Sequence, residues 1–322
     1  KGHFGMVSRR MSSAASAQPP FLTDFVRPFL LERAAVRGRF VRLAETLNWV
    51  LGAHDYPDVV ACALAELMVL AGAFVGALKF EGIFSLQVRA GGPIRLLVVD
   101  VTNQGVMRGY ASFDRNALLE PQSRIPYDGV LALTVDQRPA GGIMQQGIVK
   151  LEGRGLCEAV LAYFRQSEQI PTAIRSAIQR EPLLGRWRAA GIMVQAMPGE
   201  GSQDPEERAE HWRRVTTRLQ TVTDEELLSE VLSVDEVLWR LFHQEGVRVF
   251  APMRIEPGCS CDEQRVREML LRFPRQEIEA MRLADGTIEV ICQFCSRRYR
   301  FAPERVSELQ DQSDARKGGS PQ

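Results

Sequence analysis

The chain has no charge of one sign to offer. Forty lysines and arginines balance forty aspartates and glutamates, so the formal net charge is zero. A dedicated nucleic-acid binder draws most of its affinity from neutralised phosphates, and a neutral chain is a poor candidate for one, local patches aside. The sequence holds no GxxxxGK[ST] loop, no HExxH pair and no PCxxC deaminase signature. "RAGGPI" reads as a turn between strands rather than a nucleotide cradle. No convergent polar constellation suggests an enzyme. The first 20 residues, "KGHFGMVSRRMSSAASAQPP", lack the apolar run of a secretory signal and read as a disordered leader. A chain without an export signal is expected in the cytoplasm, where structural disulfides are rare and closely spaced cysteines are first read as metal ligands or redox centres.

One long apolar run stands out, "ACALAELMVLAGAFVGAL" at 61–78. It is long enough to raise the question of a membrane span. Glu66 lies inside it, and alanine and glycine make up much of its length, which favours a buried core helix in a protein that does not enter a membrane. The other elements follow from periodicity. "RFVRLAETLNWVL" places Phe40, Leu43, Leu47 and Val50 on one helical face. Strands are expected at "IFSLQVRA", "IRLLVVDV", "VMRGYASF", "GVLALTVD", "QGIVKL", "TAIRSAI" and "AGIMVQAMP". A helix is expected at "GLCEAVLAYFRQSEQIP", closed by Pro171. Strands in meanders beside a few helices argue for an α+β fold with an antiparallel-sheet core over 21–198.

At "PGEGSQDPEE", 198–207, glycine, proline and acid replace apolar residues, which marks a boundary. Residues 199–250 read as a helical linker. Ten acids face four arginines between 200 and 235, and the apolar stripe of Trp212, Val215, Leu219 and Val222 is narrow. Such helices are expected to dock on something larger, with Trp212, Leu219 and Leu227 read as docking contacts in the first place and as a client surface in the alternative. Thr223 with Glu226, and Ser233 with Glu236, are spaced as capping boxes, and Gly246 is placed to stop the last helix. A small module follows at 251–312: a helix from Asp262, one from Pro274, a turn at "ADG", strands "TIEVI" and "RYRF", and a last helix after Pro303. The tail 313–322 reads as disordered.

The chemistry concentrates in that module. Cys259 and Cys261 form C-x-C, and Cys292 and Cys295 form C-x-x-C, with thirty residues between the pairs. Two tight pairs in a small segment match what tetrahedral Zn2+ requires, and four protein ligands leave no open position for catalysis. Metal would supply about 10 kcal/mol to a module with little core of its own. Spacing alone leaves an inert structural knuckle as the plainer reading. A switch is conceivable because each pair is close enough to oxidise to a disulfide, which cannot ligate zinc. Arg265, Arg267, Arg297, Arg298 and Arg300 would favour thiolate character, or form a solvated face. Cys62 and Cys157 read as buried inert thiols. His54 reads as a turn residue and His243 as a helix-end residue.

"VRGRFVRL", "HDYPDVVACALAELMVLAGAFVGALKFEG", "LQVRAGGPI", "RGYA", "YFRQSEQIPT", "MVQAMP", "EVLWRLFHQEGVRVF", "CSCDEQRV" and "EVICQFCSRRYRF" together resemble the 33 kDa heat-shock family of redox-regulated holdase chaperones, over about 24–305. The resemblance implies a non-enzymatic chaperone that, when reduced, carries one Zn2+ on Cys259, Cys261, Cys292 and Cys295 and is inactive. It implies Cys259–Cys261 and Cys292–Cys295 disulfides on oxidation, zinc release, loss of linker structure, a homodimer, and ATP-independent holding of unfolding client proteins. The competing reading is a zinc-stabilised nucleic-acid or translation-factor binding module with no redox switch, for which "SRRYRF" is the only local support.

Overall fold

The computed structural model describes residues 8–10, 23–76, 80–118, 128–153, 155–302 and 304–305. The rest of the leader, the tail 313–322 and nearly all of the helix expected after Pro303 lie outside the described residues. The chain divides into two compact units, Lys1–Pro257 and Gly258–Gln322. The helical linker falls inside the first unit.

Two antiparallel sheets organise the first unit. One orders its main strands as β1 (Ser8–Arg10), β11 (Val247–Phe250), β2 (Phe25–Leu31), β3 (Val36–Leu43), β10 (Trp187–Ala196) and β9 (Thr172–Arg180), with β12 (Met253–Arg254) also paired to β2. The other orders β13 (Glu256–Pro257), β6 (Val106–Phe113), β5 (Ile94–Thr102), β4 (Ile83–Ala90), β7 (Gly129–Asp136) and β8 (Met144–Lys150); its β13–β6 contact is parallel. The seven strands expected after residue 80 are all present. β1 is a strand within the expected leader, paired with β11.

Between the sheets lies α2 (Asp58–Val75), flanked by α1 (Glu45–Leu51) and α3 (Leu156–Tyr163). α2 is long and apolar enough to cross a membrane, yet fourteen of its eighteen residues are buried against both sheets. Gly191 of β10 permits its close approach: a Cβ there would stand 2.6 Å from Val69 Cγ1. The helix expected at "GLCEAVLAYFRQSEQIP" begins as α3 and widens into a π-turn at Phe164–Glu168.

Two expectations fail. Phe40 and Leu43 belong to β3, not to a helix that continues through Val50. The 3.6-residue spacing is coincidental, because β3 is paired on both edges, by β2 and β10, and buries both its faces. Cys62 is exposed, and Cys157 only half-buried. Asp58, Cys62 and Glu66 recur every four residues, so they form the one polar stripe of α2. Burial raises the thiol pKa of both Cys62 and Cys157.

The far face of the first sheet carries α4 (Pro205–Thr221), α5 (Asp224–Leu228) and α6 (Val234–Phe242). Alternation supplies the face: Phe25, Phe29 and Leu31 of β2, Phe40 of β3, and Ala190, Ile192 and Val194 of β10 pack against Val215, Leu219, Val222, Leu227, Val237, Leu238 and Phe242. Trp212 is partly buried at the edge of this cluster. Both expected capping boxes form, and Gly246 closes the turn after α6 at φ +70°. Buried charge joins the layers. Arg27 of β2 makes three hydrogen bonds of 2.8–3.0 Å to the carboxylate of Asp235 in α6. Arg42 donates to the carbonyls of Leu227 and Leu232. The fully buried Glu245 accepts from Arg214 of α4 at 2.6 Å.

Candidate metal centre

The second unit contains α7 (Glu263–Leu270), α8 (Arg275–Ala280) and the hairpin β14 (Ile288–Ile291) with β15 (Arg298–Phe301). Asp262 caps α7 by accepting from the backbone of Arg265, as its place after the cysteine pair suggests. Among the described residues the apolar core is small: Val266, Leu270, Leu271, Ile278, Ile288, Tyr299 and Phe301, with Cys261 and Cys292 packed against it. So few buried side chains give a module of this size little independent stability.

The hairpin positions the second cysteine pair. β14 delivers Cys292 directly after Ile291, and the chain turns through Cys295 and Ser296, the latter at φ +56°, before returning as β15. The Cys292 N–H donates to the Arg297 carbonyl at 2.9 Å, and the Ser296 N–H to the Cys292 carbonyl at 2.8 Å. The first pair sits in the loop before α7, where the Arg265 side chain donates to the Ser260 carbonyl at 2.6 Å.

These two knuckles, thirty residues apart in the chain, bring all four sulfurs within 4.8 Å of one another. Cys259 Sγ lies 3.7 Å from Cys292 Sγ, and Cys261 Sγ 3.3 Å from Cys295 Sγ. Four thiolates about 2.3 Å from one tetrahedral ion stand about 3.8 Å apart, so the cluster has the size such a site needs. The backbone N–H of Cys261 points at the Cys259 sulfur and that of Arg297 at the Cys295 sulfur. Such donors stabilise thiolates. All six cysteines are unbridged.

The sulfurs are not equivalent. Burial pushes Cys259 up, and pushes Cys295 up to about 12. At Cys261 burial also acts upward, but the nearby Tyr299 hydroxyl and the neighbouring thiols outweigh it and leave the group at about 7. Of the five arginines expected to tune the site, Arg297 lies close enough to act on Cys261 and Cys295. Arg265, Arg298 and Arg300 are engaged with Asp262, Glu289 and Asp285 and belong to the solvated face. Tyr299 was legible only as a strand residue. Its place opposite Val290, two residues before Cys292, is what brings it to the cluster.

The Hsp33 protein family model matches residues 24–302, and so covers both units and the cysteine cluster. The chain belongs to the Hsp33 family. It is 38% identical over 293 residues to a 33 kDa chaperonin of Ectopseudomonas mendocina, covering 89% of this chain and 95% of that protein. It is 36% identical over 292 residues to a 33 kDa chaperonin of Caulobacter vibrioides, covering 88% and 96% respectively. The solved 33 kDa chaperonin of Thermotoga maritima superposes with a TM-score of 0.73 over 90% of this chain and 98% of its own. At 23% identity that likeness shows the Hsp33 fold alone. These relatives bear the name of a chaperonin, not of an enzyme.

Proposed function

We propose that the protein is a redox-regulated, ATP-independent holdase, resident in the cytoplasm, that binds unfolding proteins under oxidative stress. The single observation that carries this reading is the four-sulfur cluster in an Hsp33-family chain whose lightly apolar helices cover a sheet face in the preceding unit. In the reduced state Cys259, Cys261, Cys292 and Cys295 hold one Zn2+. When bound, the ion supplies a cross-link between the two knuckles and keeps the four thiols ionised.

Activation is oxidation of the sulfurs. Each pair, Cys259 with Cys261 and Cys292 with Cys295, gives up two electrons to an oxidant such as hydrogen peroxide. One sulfur–sulfur bond forms, the peroxide oxygen–oxygen bond breaks, and the two oxygens leave as two water molecules, with the two protons of the peroxide and two drawn from solvent, since the sulfurs are already thiolates. Disulfides cannot serve as thiolate ligands, so the module loses the cross-link its small core depends on. The chain then unfolds toward β11–β13, with which the linker helices are continuous in sequence. Release of α4–α6 uncovers Phe25, Phe29, Phe40 and Ile192, an apolar face suited to unfolded clients and to a second copy of the chain.

The test is peroxide treatment of the full chain at raised temperature, followed for zinc release, free-thiol count and light scattering from a denaturing client. Two disulfides, one equivalent of zinc released and suppressed scattering are expected. Retained zinc with unchanged scattering overturns the proposal, and a gel shift with RNA in its place would favour the nucleic-acid module.

A further inference from the structure

Tyr299 is a buried phenol at the edge of the cluster, with about nine-tenths of its surface covered. Its hydroxyl is sealed from solvent and makes no hydrogen bond of good geometry. A buried hydroxyl left so is costly, because a phenol has one O–H to donate and no second donor to share the loss. The ring packs with Ile288 and Phe301 in the apolar core that also contacts Cys261 and Cys292. The hydroxyl stands beside the Cys261 sulfur on one side and the Arg297 guanidinium on the other. A guanidinium close to the phenol oxygen makes the O–H a better donor. Ligation fixes that sulfur as a thiolate, a stronger acceptor than a thiol.

We infer that Tyr299 is a positioning residue of the metal centre, whose hydroxyl donates to the Cys261 thiolate once that sulfur is ligated, with Arg297 polarising the phenol. The inference rests on the zinc reading above. Donation to a ligating sulfur orients it, holds its charge and withdraws electron density from it. Tyr299 therefore strengthens metal retention and slows attack of this sulfur on an oxidant, which sets the oxidant dose at which the module opens.

The test is Tyr299→Phe in the full-length protein, which keeps the ring and removes only the hydroxyl. Zinc affinity, measured by competition with a chromogenic chelator, is expected to weaken about 10- to 100-fold. Zinc release by peroxide is expected to quicken. With Co2+ in place of zinc, the sulfur-to-metal charge-transfer band is expected to move to longer wavelength, as an unbonded thiolate gives up its electrons more readily. Phe301→Leu on the same strand controls for packing: it loosens the core yet leaves the band in place. An unshifted band with unchanged affinity in Tyr299→Phe overturns the inference alone. A parent chain that takes up neither metal overturns the zinc reading with it.

Discussion

Replacing Asp235 by alanine isolates the contact that holds the linker to the sheet. Arg27 lies in the middle of β2 and points into the same layer as Phe25 and Phe29, while Asp235 occupies the first turn of α6, where the helix dipole also favours its charge. Their side chains are 10% and 7% exposed, and three hydrogen bonds join them across 208 residues of chain. Asp235→Ala strands a buried guanidinium, a loss of about 3–5 kcal/mol when one partner of a buried pair is removed. At 1.4 kcal/mol per tenfold, the undocking equilibrium shifts by roughly 140- to 3,700-fold. Amide hydrogen exchange reads this directly: protection in α4–α6 should fall by that factor, while β4 and β5 of the other sheet keep theirs. The variant should also suppress client scattering without oxidant. Arg27→Met with Asp235→Leu should restore protection, since an apolar pair fills the space without a buried charge. Unchanged exchange in α6 of Asp235→Ala would refute the view that this pair holds the layer down.

Chelation of the metal should abolish protection in α7 and β14–β15 while β10 keeps its own, observed by hydrogen exchange; loss at β10 as well would contradict confinement of the effect to the module and the linker helices. Cys292→Ser should drop zinc content from one equivalent toward none by elemental analysis, since three thiolates and a hydroxyl no longer make the closed site. Ser233→Ala removes the capping box at α6 and should lower the urea-derived stability of the first unit by about 1 kcal/mol. Gly38→Ala would place a Cβ 2.0 Å from Phe29 Cζ and should destabilise by about 1–3 kcal/mol, whereas Gly91→Ala, with nothing within 4 Å, should not register in the same melts.

The sequence alone was enough for elements whose cause is local. Alternation in "IFSLQVRA" marks β4 because a strand's side chains change face at every residue, and the apolar run in "IRLLVVDV" marks β5 as a buried strand. Thr223 and Ser233 mark helix starts because their oxygens meet an N–H three residues on. The four cysteines mark a candidate metal site because two close pairs can supply the corners of a tetrahedron. Tertiary structure decided whatever depends on what lies opposite. "RFVRL" satisfies a helical period as well as a strand's, and only the pairing of β3 with β2 and β10 settles it. Arg27 and Asp235 are ordinary surface residue types until a sheet and a helix 208 positions apart bury them together. Tyr299 is one aromatic in a short strand until the hairpin register packs it into the small core beside Cys261. Local patterns carry the preferences of neighbouring residues, but the partner of a buried charge or hydroxyl is set by chain packing, and no run of adjacent residues encodes it.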